Sequence, residues 1–224
     1  MTIQIGIVGT DGILIASDTH WFDEHSVRES WNETKIKIHT DCGIAVARAG
    51  KLVTAGYLAN EIIDATVRNE NWLDVDFGVK QTIEEKVLSL AEKGSEHCQC
   101  LVAFTRPHVK LFCFQIVKVG ESWRLVIDEI SSKKCTGDYR NSAIFWAERY
   151  CPRGPYKVPI RKLVTFASHL VYTAHVLNTA GISGLEIVLC EANGIHRVPD
   201  EEISQLELQA EERDKSIGCL LGIA

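Results

Sequence analysis

Apolar residues follow two periods along this chain, one typical of β-strands and one typical of α-helices. Near the start, Ile3, Ile5 and Ile7 alternate with other residues at the strand period. An Asp-Gly turn dipeptide comes next, followed by a second apolar run over 13–18, so the pattern predicts a β-hairpin. The first strand begins at Thr2 or Ile3. This chain therefore starts its core at its first residues, which most domains leave loosely ordered.

The remaining elements come in pairs and short series. The pattern predicts four strands, two helices, three strands, two helices, two strands and a final helix. The predicted strands cover 2–9, 13–18, 34–39, 43–50, 98–105, 109–118, 122–130, 184–191 and 194–199. The predicted helices cover 52–70, 79–93, 139–151, 160–179 and 200–217. Hairpins imply antiparallel sheets, and paired helices imply outer layers. We therefore expect two antiparallel sheets stacked face to face, with helices outside each.

Length and composition predict one soluble domain. The chain has 224 residues, of which 46% are hydrophobic and 24% are charged, as in ordinary globular proteins. We see no internal repeat and no Ser/Gly-rich linker that would divide it. We therefore expect a single domain over residues 1–224.

The charge and apolar pattern exclude several classes of partner. The formal net charge is −6, whereas nucleic-acid binders normally carry a basic patch. No apolar run reaches the roughly 18 residues that a membrane helix needs. The start of the chain also lacks the basic and apolar regions of a secretory signal. We expect a cytoplasmic protein that binds neither nucleic acid nor membrane.

The cysteines indicate reduced thiols rather than disulfides or a metal site. Without a secretory signal, a chain of this length normally keeps its thiols reduced. The eight cysteines are Cys42, Cys98, Cys100, Cys113, Cys135, Cys151, Cys190 and Cys219. The stretch "HCQC" over 97–100 has CxC spacing, and no second Cys/His cluster follows at a zinc-site distance. We expect no metal and no cofactor.

Several segments, taken in order, resemble one enzyme family. The opening "TIQIGIVGTDGILIASDT" is similar to the start of mature proteasome β-type subunits and of the bacterial HslV peptidase. The later segments "ETKIKIH", "ARAG", "CTGDY" and "GISGLEIVLCEANGIHRV" match further family segments in the same order. Both proteins are N-terminal-nucleophile (Ntn) hydrolases, and the betaproteobacterial proteasome homologues are a candidate branch. The resemblance implies an α+β fold, a four-layer α/β/β/α sandwich with two stacked antiparallel sheets.

The resemblance also implies a role for the first residues. Methionine aminopeptidase can remove Met1 because Thr2 is small, which leaves Thr2 with a free α-amine. The threonine hydroxyl would be the nucleophile, and the α-amine, which titrates near ~8, would be its base. The alternative is that Thr2 is only the first residue of a strand.

Two charged residues match the family's active-site pair. Asp18 follows Thr2 by sixteen residues, as the family's carboxylate does. Lys35 is the best match to the family's lysine, although it falls one residue late, and Lys37 is a rival on the same predicted strand. A buried Lys–Asp pair would favour the alkoxide of the nucleophile. The alternatives are a carboxylate at a turn and a lysine facing solvent.

Further catalytic candidates come from the family's turns. The backbone N–H of Gly50 in "ARAG" is the candidate oxyanion donor, unless this glycine serves only close packing. Asp138 replaces a family serine near the nucleophile's amine, where a carboxylate would hold an ammonium and weaken the base. Ser183 stands at the position of another family serine, whereas Ala180 replaces a family aspartate.

Three residues are candidates for substrate binding. The resemblance places Arg48 at the floor of the pocket for the side chain before the cut, where a guanidinium favours acidic residues. The alternative is that Arg48 pairs with Glu61 or reaches water. Trp21 and Phe22 replace small residues of the cleft, and either narrow it or pack against a neighbouring subunit.

The sequence therefore favours one function and leaves two alternatives. The first is a self-compartmentalising threonine peptidase that cleaves polypeptides inside stacked homo-oligomeric rings, fed by an AAA+ ATPase unfoldase. The second is a ring protein that has lost the chemistry, which Asp138 and Ala180 favour. The third is an amidase or acyltransferase of the same fold that acts on a small molecule, which an aromatic-narrowed cleft would suit.

Overall fold

The chain forms an α+β structure of twelve strands and six helices within the residues that the computed structural model describes: 2–22, 30–69, 72–75, 77–91, 98–137, 143–150 and 157–220. The strands are β1 (Ile3–Val8), β2 (Gly12–Ser17), β3 (His20–Phe22), β4 (Ser30–Asn32), β5 (Ile36–His39), β6 (Ile44–Ala49), β7 (Cys98–Phe104), β8 (Lys110–Val119), β9 (Ser122–Ile130), β10 (Lys133–Gly137), β11 (Glu186–Glu191) and β12 (Gly194–Arg197). The helices are α1 (Leu52–Arg68), α2 (Trp72–Val75), α3 (Phe77–Ala91), α4 (Ala143–Tyr150), α5 (Ile160–Leu177) and α6 (Asp200–Leu220).

The first sheet has the strand order β10-β1-β2-β11-β12, and every pair in it is antiparallel. The β1–β2 hairpin is in register with Ile5 opposite Ala16. Both strands are buried along nearly their whole length, which explains why isoleucine dominates them. The predicted core at the very start of the chain is therefore present in the fold.

The second sheet has the order β5-β6-β7-β8-β9 and is also antiparallel throughout. A separate two-stranded ribbon joins β3 to β4, with Trp21 opposite Trp31. The structure thus contains the two antiparallel sheets that the hairpin pattern predicts.

Three apolar clusters pack these elements together. One cluster holds side chains of both sheets, including Ile13 and Ile15 of β2 with Ala45 and Ala47 of β6. A second joins the first sheet to α5 and α6, and a third joins the second sheet to α1 and α3. Helices α1 and α5 each bury one apolar stripe against their sheet, as the 3.6-residue period predicts.

The predicted element order was wrong in three places. The structure adds the ribbon strands β3 and β4, the single-turn helix α2, and strand β10. The ribbon strands have three residues each, too few to show a period. The sequence of β10 is "KKCTG", which is polar enough to resemble a turn, and its pairing with β1 makes it a strand. These elements depend on tertiary pairing rather than on local pattern.

Among the described residues, no helix is both long and apolar enough to cross a bilayer. The seven cysteines in this part of the chain form no disulfide with one another, and Cys151 lies outside the described residues.

Candidate active site

The β1–β2 hairpin brings Thr2 and Asp18 together. Thr2 lies just before β1, and Asp18 follows the end of β2, so the return strand places the two residues side by side. Asp18 Oδ1 accepts a hydrogen bond of 2.9 Å from the Ile3 backbone N–H. The Asp18 N–H in turn donates to the Ile3 carbonyl over 3.3 Å. Asp18 is fully buried and Thr2 nearly so. The carboxylate is therefore fixed beside the nucleophile candidate by backbone contacts on both sides.

Lys35 reaches both of these residues from the second sheet. Its Nζ donates to Thr2 Oγ1 over 2.8 Å and to Asp18 Oδ2 over 2.7 Å. The Lys35 side chain is also fully buried. Lys37 instead donates to Asn60 Oδ1 over 2.6 Å and is half-buried. Of the two lysines between which the sequence could not choose, Lys35 is the one in contact with Thr2.

Burial shifts both members of this ion pair toward their neutral forms. Desolvation lowers the pKa of the Lys35 ammonium below its usual value, and the Asp18 carboxylate partly offsets the shift. Desolvation raises the pKa of the Asp18 carboxyl, and Lys35 and two backbone N–H groups partly offset it. An ammonium with a lowered pKa can both stabilise an alkoxide on Thr2 and exchange a proton with it.

An aromatic ring covers this cluster. The Lys35 Nζ lies 5.0 Å from the centroid of the Trp21 ring, and the Arg48 Cζ lies 5.3 Å from it, which are cation–π distances. Trp21 is only 4% exposed. Within the described part of the chain, its indole N–H is buried and has no hydrogen-bond partner. Trp21 thus forms a wall of the site and separates the two cations from solvent.

Arg48 is engaged with backbone rather than open to solvent. Its Nε donates to the Lys35 carbonyl over 3.2 Å, and its Nη2 donates to the Thr34 carbonyl over 2.7 Å. Its residue exposure is 6%. Glu61, the partner that the alternative interpretation assigns to Arg48, accepts from Lys86 over 2.8 Å. Phe22 lies on β3 opposite Ser30.

The glycine candidates have different surroundings. Gly50 follows β6 with a φ of 107° and is exposed, a backbone conformation that favours glycine. Gly137, which the sequence analysis did not single out, ends β10 with a φ of 99°. A Cβ there would lie 2.0 Å from the Thr2 carbonyl oxygen, so only glycine fits against Thr2. Asp138, the next residue, lies outside the described residues.

Ser183 contacts the segment after Asp18. Its Oγ lies 3.2 Å from His20 Nδ1 and 3.3 Å from Asn32 Oδ1. Its carbonyl accepts a 3.0 Å hydrogen bond from the Thr19 N–H. Across the described ranges, no hydrogen bond joins Ser183 to Thr2. Ala180 lies exposed in the turn after α5.

One buried carboxylate was missed by the sequence analysis. Glu186 opens β11, is nearly fully buried, and accepts hydrogen bonds from the backbone N–H groups of Lys35 and Ile36. Its signal in the sequence is an acidic residue between Leu185 and Ile187, at the start of a strand whose interior is apolar.

In this arrangement the buried Lys35 ammonium lies between the Thr2 hydroxyl and the buried Asp18 carboxylate and donates a hydrogen bond to each. A hydroxyl in contact with an ammonium is suited to nucleophilic attack, because the positive charge favours its alkoxide. Among the residues that the structure describes, no cluster of His, Cys, Asp and Glu could hold a metal ion.

Comparison with known proteins identifies the fold. No protein-family profile and no curated protein matches this chain. Solved structures do, and the Anbu (ancestral beta-subunit) protein from Yersinia bercovieri has a TM-score of 0.70 and 14% identity, covering 97% of each chain. The helical assembly of the Anbu complex from Pseudomonas aeruginosa has a TM-score of 0.69 and 13% identity, covering 99% of this chain and 96% of that one. An Anbu Gly-1 mutant from Hyphomicrobium sp. strain MC1 has a TM-score of 0.68 and 12% identity, covering 97% of this chain and 96% of that one.

These neighbours correct the resemblance inferred from the sequence. The assignment to proteasome β-type subunits or HslV, with the betaproteobacterial homologues as a branch, was wrong. The structures named above are Anbu proteins, a distinct family related to the proteasome-type Ntn fold. The strand alternation and turns that carried the resemblance are features of the fold, so they do not distinguish between the families that share it. At 11–14% identity the likeness shows that this chain has the proteasome-like Anbu fold.

Proposed function

We propose that this chain is a threonine-type N-terminal-nucleophile hydrolase that cleaves peptide bonds through Thr2 after removal of Met1. The observation that carries the proposal is the hydrogen bond of 2.8 Å from Lys35 Nζ to Thr2 Oγ1, with Lys35 paired to the fully buried Asp18. We further propose a single domain over residues 1–224 whose three apolar clusters hold a four-layer α/β/β/α sandwich.

The proposed reaction has two acyl-transfer steps. The Thr2 hydroxyl loses its proton to its own free α-amine and attacks the peptide carbonyl, forming a C–O bond. The α-ammonium then gives the proton to the departing amine as the C–N bond breaks. Water then attacks the resulting ester and gives a proton to the α-amine. As the bond between the acyl carbon and Thr2 Oγ1 breaks, the α-ammonium returns that proton to Oγ1, which restores the hydroxyl and releases the acid. Lys35 stabilises the alkoxide, and Asp18 orients Lys35.

Three further residues take supporting roles in this proposal. The Gly50 N–H donates to the oxyanion of each tetrahedral intermediate. Ser183, held by His20, lines the side of the site near the segment after Asp18. We also propose, from the sequence alone, that the Asp138 carboxylate lies beside the α-amine.

The first experiment measures the N-terminus and its reactivity. Intact mass of the purified protein should show loss of Met1. A peptide epoxyketone should then label the wild type, because the ring that it forms needs both the hydroxyl and the free α-amine of an N-terminal threonine. Thr2→Ala should abolish labelling and peptide hydrolysis while leaving the melting temperature nearly unchanged. Thr10→Ala, at an exposed turn, is the matched control.

Two outcomes would refute this proposal. One is full retention of Met1 in protein that still cleaves peptides. The other is equal cleavage by Thr2→Ala and the wild type.

We also propose that the protein works as a homo-oligomer, in stacked rings that receive polypeptide from an AAA+ unfoldase. The neighbour from Pseudomonas aeruginosa was solved as a helical assembly, which supports self-association of this fold. The first half of α1 carries exposed apolar residues, Leu52, Val53 and Tyr57, as a subunit contact would require. Light scattering after size exclusion should give at least a hexamer. A monodisperse monomer at micromolar concentration would refute the assembly.

For substrate preference, we propose that Arg48 selects acidic side chains before the cut and that Trp21 and Phe22 narrow access to it. Trp21 now covers Arg48, so an acidic side chain must displace the indole to reach the guanidinium. Wild type should cleave after Asp or Glu faster than after Leu, and Trp21→Ala should increase that preference. Arg48→Met should favour apolar side chains. A fluorogenic peptide panel that shows no change in either variant would remove both residues from the pocket.

A second function has one observation in its favour. Because Trp21 leaves the cluster nearly closed, the site as folded suits a small amide better than an extended peptide. An amidase of the same fold would hydrolyse short acyl amides faster than any peptide in the panel. The reverse order of rates would favour the peptidase.

A further inference from the structure

The backbone just before β5 is held by three charged side chains. Glu186 Oε1 accepts from the Lys35 N–H and, over 3.0 Å, from the Ile36 N–H. Arg197 Nη2 donates to the Ile36 carbonyl over 2.9 Å, and Arg48 Nε donates to the Lys35 carbonyl over 3.2 Å. Lys35 and its neighbour thus have their backbone polar groups satisfied by side chains.

Glu186 accepts hydrogen bonds from backbone N–H groups at the start of β5, as a neighbouring strand would. Strand β5 is at the edge of the second sheet and pairs only with β6 within the described residues. An edge strand leaves a row of N–H groups without partners, and a buried N–H without a partner costs about 1–3 kcal/mol. Glu186 belongs to β11 in the other sheet, so its carboxylate crosses between the sheets to satisfy this edge.

The other oxygen of the carboxylate is also fully used. Glu186 Oε2 accepts from Thr34 Oγ1 over 2.6 Å and from Arg197 Nη1. Arg197 ends β12, the strand that pairs with β11. The carboxylate is nearly fully buried, and these contacts fix its rotamer. Glu186 is therefore rigid enough to define where the Lys35 side chain starts.

The charge of Glu186 also acts on the Lys35 ammonium. Glu186 touches the amide of Lys35, so it lies within about 10 Å of that residue's Nζ. The charged groups around this ammonium are Asp18, Glu186 and Arg48, with the Trp21 ring against it. Burial lowers the pKa of Lys35, both carboxylates raise it, and Arg48 lowers it.

We propose that Glu186 is a positioning residue for Lys35, one that holds its backbone and supplies part of the negative charge that keeps its ammonium form beside Thr2. The role in catalysis rests on the proposed hydrolase function. The positional role rests on the hydrogen bonds alone. Two variants separate the two effects. Glu186→Gln keeps the length and one acceptor oxygen for the two backbone amides, but it removes the charge and the acceptor for Thr34 and Arg197. Glu186→Asp keeps the charge but is one methylene too short to reach both amides.

The first measurement is hydrogen exchange followed by mass spectrometry on the full chain. In Glu186→Asp, the amides of residues 35 and 36 should exchange about tenfold faster or more, because they lose their acceptor. In Glu186→Gln they should stay close to wild type. Glu191→Gln, on the same strand, is the charge-matched control. Unchanged exchange in Glu186→Asp would overturn the positional role.

The second measurement is the pH dependence of Thr2 labelling by a peptide vinyl sulfone. In Glu186→Gln, the fall of the labelling rate on the alkaline side of the pH profile should occur about half a pH unit lower or more, because the Lys35 ammonium loses its proton more easily. This is the size of shift expected for one charge removed within about 10 Å. Glu186→Asp should lose rate at every pH without moving this alkaline fall. Glu191→Gln should match the wild type. If the labelling rate of Glu186→Gln falls at the same alkaline pH as that of the wild type, the role of the charge is overturned.

The two measurements also separate this inference from the proposed function. If the vinyl sulfone labels neither the wild type nor any variant, the hydrolase proposal fails and the catalytic part of this one fails with it. The exchange measurement still decides whether Glu186 positions Lys35.

Discussion

The buried pair of Lys35 and Asp18 makes a sharp prediction about stability. Its charged atoms are 2.7 Å apart and both side chains are fully buried. Removing one partner leaves the other charge buried without compensation, which typically costs about 3–5 kcal/mol. Lys35→Met and Asp18→Asn are similar in shape to the residues that they replace, so they break the pair with little change in volume.

The magnitude can be bounded from the free energy of neutralising the remaining group. In Lys35→Met, the folded state can avoid a buried carboxylate by protonating Asp18. From an ordinary aspartate pKa of about 3.9, that costs about 4 kcal/mol at pH 7. In Asp18→Asn, deprotonating Lys35 from about 10.4 costs between about 4 and 5 kcal/mol at pH 7. Both bounds agree with the range for broken buried pairs.

The two variants should respond to pH in opposite directions. In Lys35→Met, the folded state binds a proton that the unfolded state releases above about pH 4. Its unfolding free energy therefore falls as pH rises from about 4, and the variant recovers on acidification. In Asp18→Asn, the unfolded state holds a proton that folded Lys35 has lost. Its unfolding free energy therefore rises toward pH 10, and this variant recovers in alkali.

Urea unfolding at pH 5, 7 and 9, at constant protomer concentration, measures both effects. The double variant should be less destabilised than the sum of the single variants, because it leaves no unpaired charge. Lys215→Met, which breaks an exposed ion pair with Glu211, is the control and should show no measurable loss. The reasoning is refuted if both variants lose the same stability at every pH and their effects add.

Two further predictions concern a glycine and a thiol. Gly137→Ala places a Cβ 2.0 Å from the Thr2 carbonyl at a φ of 99°, so it should lower the melting temperature and abolish Thr2 labelling. The control is Gly120→Ala, which has a φ of 64° but open space around its Cβ. It should lose only about 1–2 kcal/mol of unfolding free energy, from the strained backbone. Equal losses of stability in the two variants would contradict the steric argument. Burial raises the pKa of Cys113 to about 11, so a maleimide at pH 8 should modify exposed Cys219 and leave Cys113 intact until the protein unfolds. Peptide mass spectrometry checks this, and early labelling of Cys113 would contradict it.

Much of the secondary structure was predictable because its signal is local. Alternating isoleucines and a turn dipeptide specify the β1–β2 hairpin, and apolar stripes specify α1 and α5. The missed elements lack such a signal. Strand β10 is polar and becomes a strand because β1 offers it a partner over Ile3–Ile7. No local pattern records that pairing.

The site was predictable only in part, for a related reason. The spacing of sixteen residues from Thr2 indicated Asp18 as the carboxylate of the site. The stretch "KIK" offers two lysines, and the sequence does not show at which residue the strand begins and therefore which lysine reaches the site. The structure starts β5 at Ile36, which leaves Lys35 before the strand with its side chain directed to Asp18. Glu186 decides this geometry from 151 residues away in the chain. The sequence shows only an acidic residue at the start of a strand whose interior is apolar.

The error over the family has a physical origin as well. In this chain the quoted segments encode a buried hairpin, a lysine beside a strand and a glycine after a strand. The chain shares its fold with an Anbu structure over nearly its whole length at only 14% identity. Motifs of this kind report the architecture. Trp21 and Asp138 are positions where this chain departs from the pattern to which it was compared.

The geometry of the candidate site depends on how closely the two sheets approach. Thr2 and Asp18 belong to the first sheet, whereas Lys35 comes from the second, so the 2.8 Å contact crosses between them. Gly6 permits the approach, since a Cβ there would lie 2.9 Å from Leu111 Cδ2 of the second sheet. A site of this kind requires its groups to be held within about 0.5 Å. The sheet spacing is thus part of the candidate chemistry, and the hydrogen bonds from the Lys35 and Ile36 N–H groups to Glu186 join the two sheets beside the site.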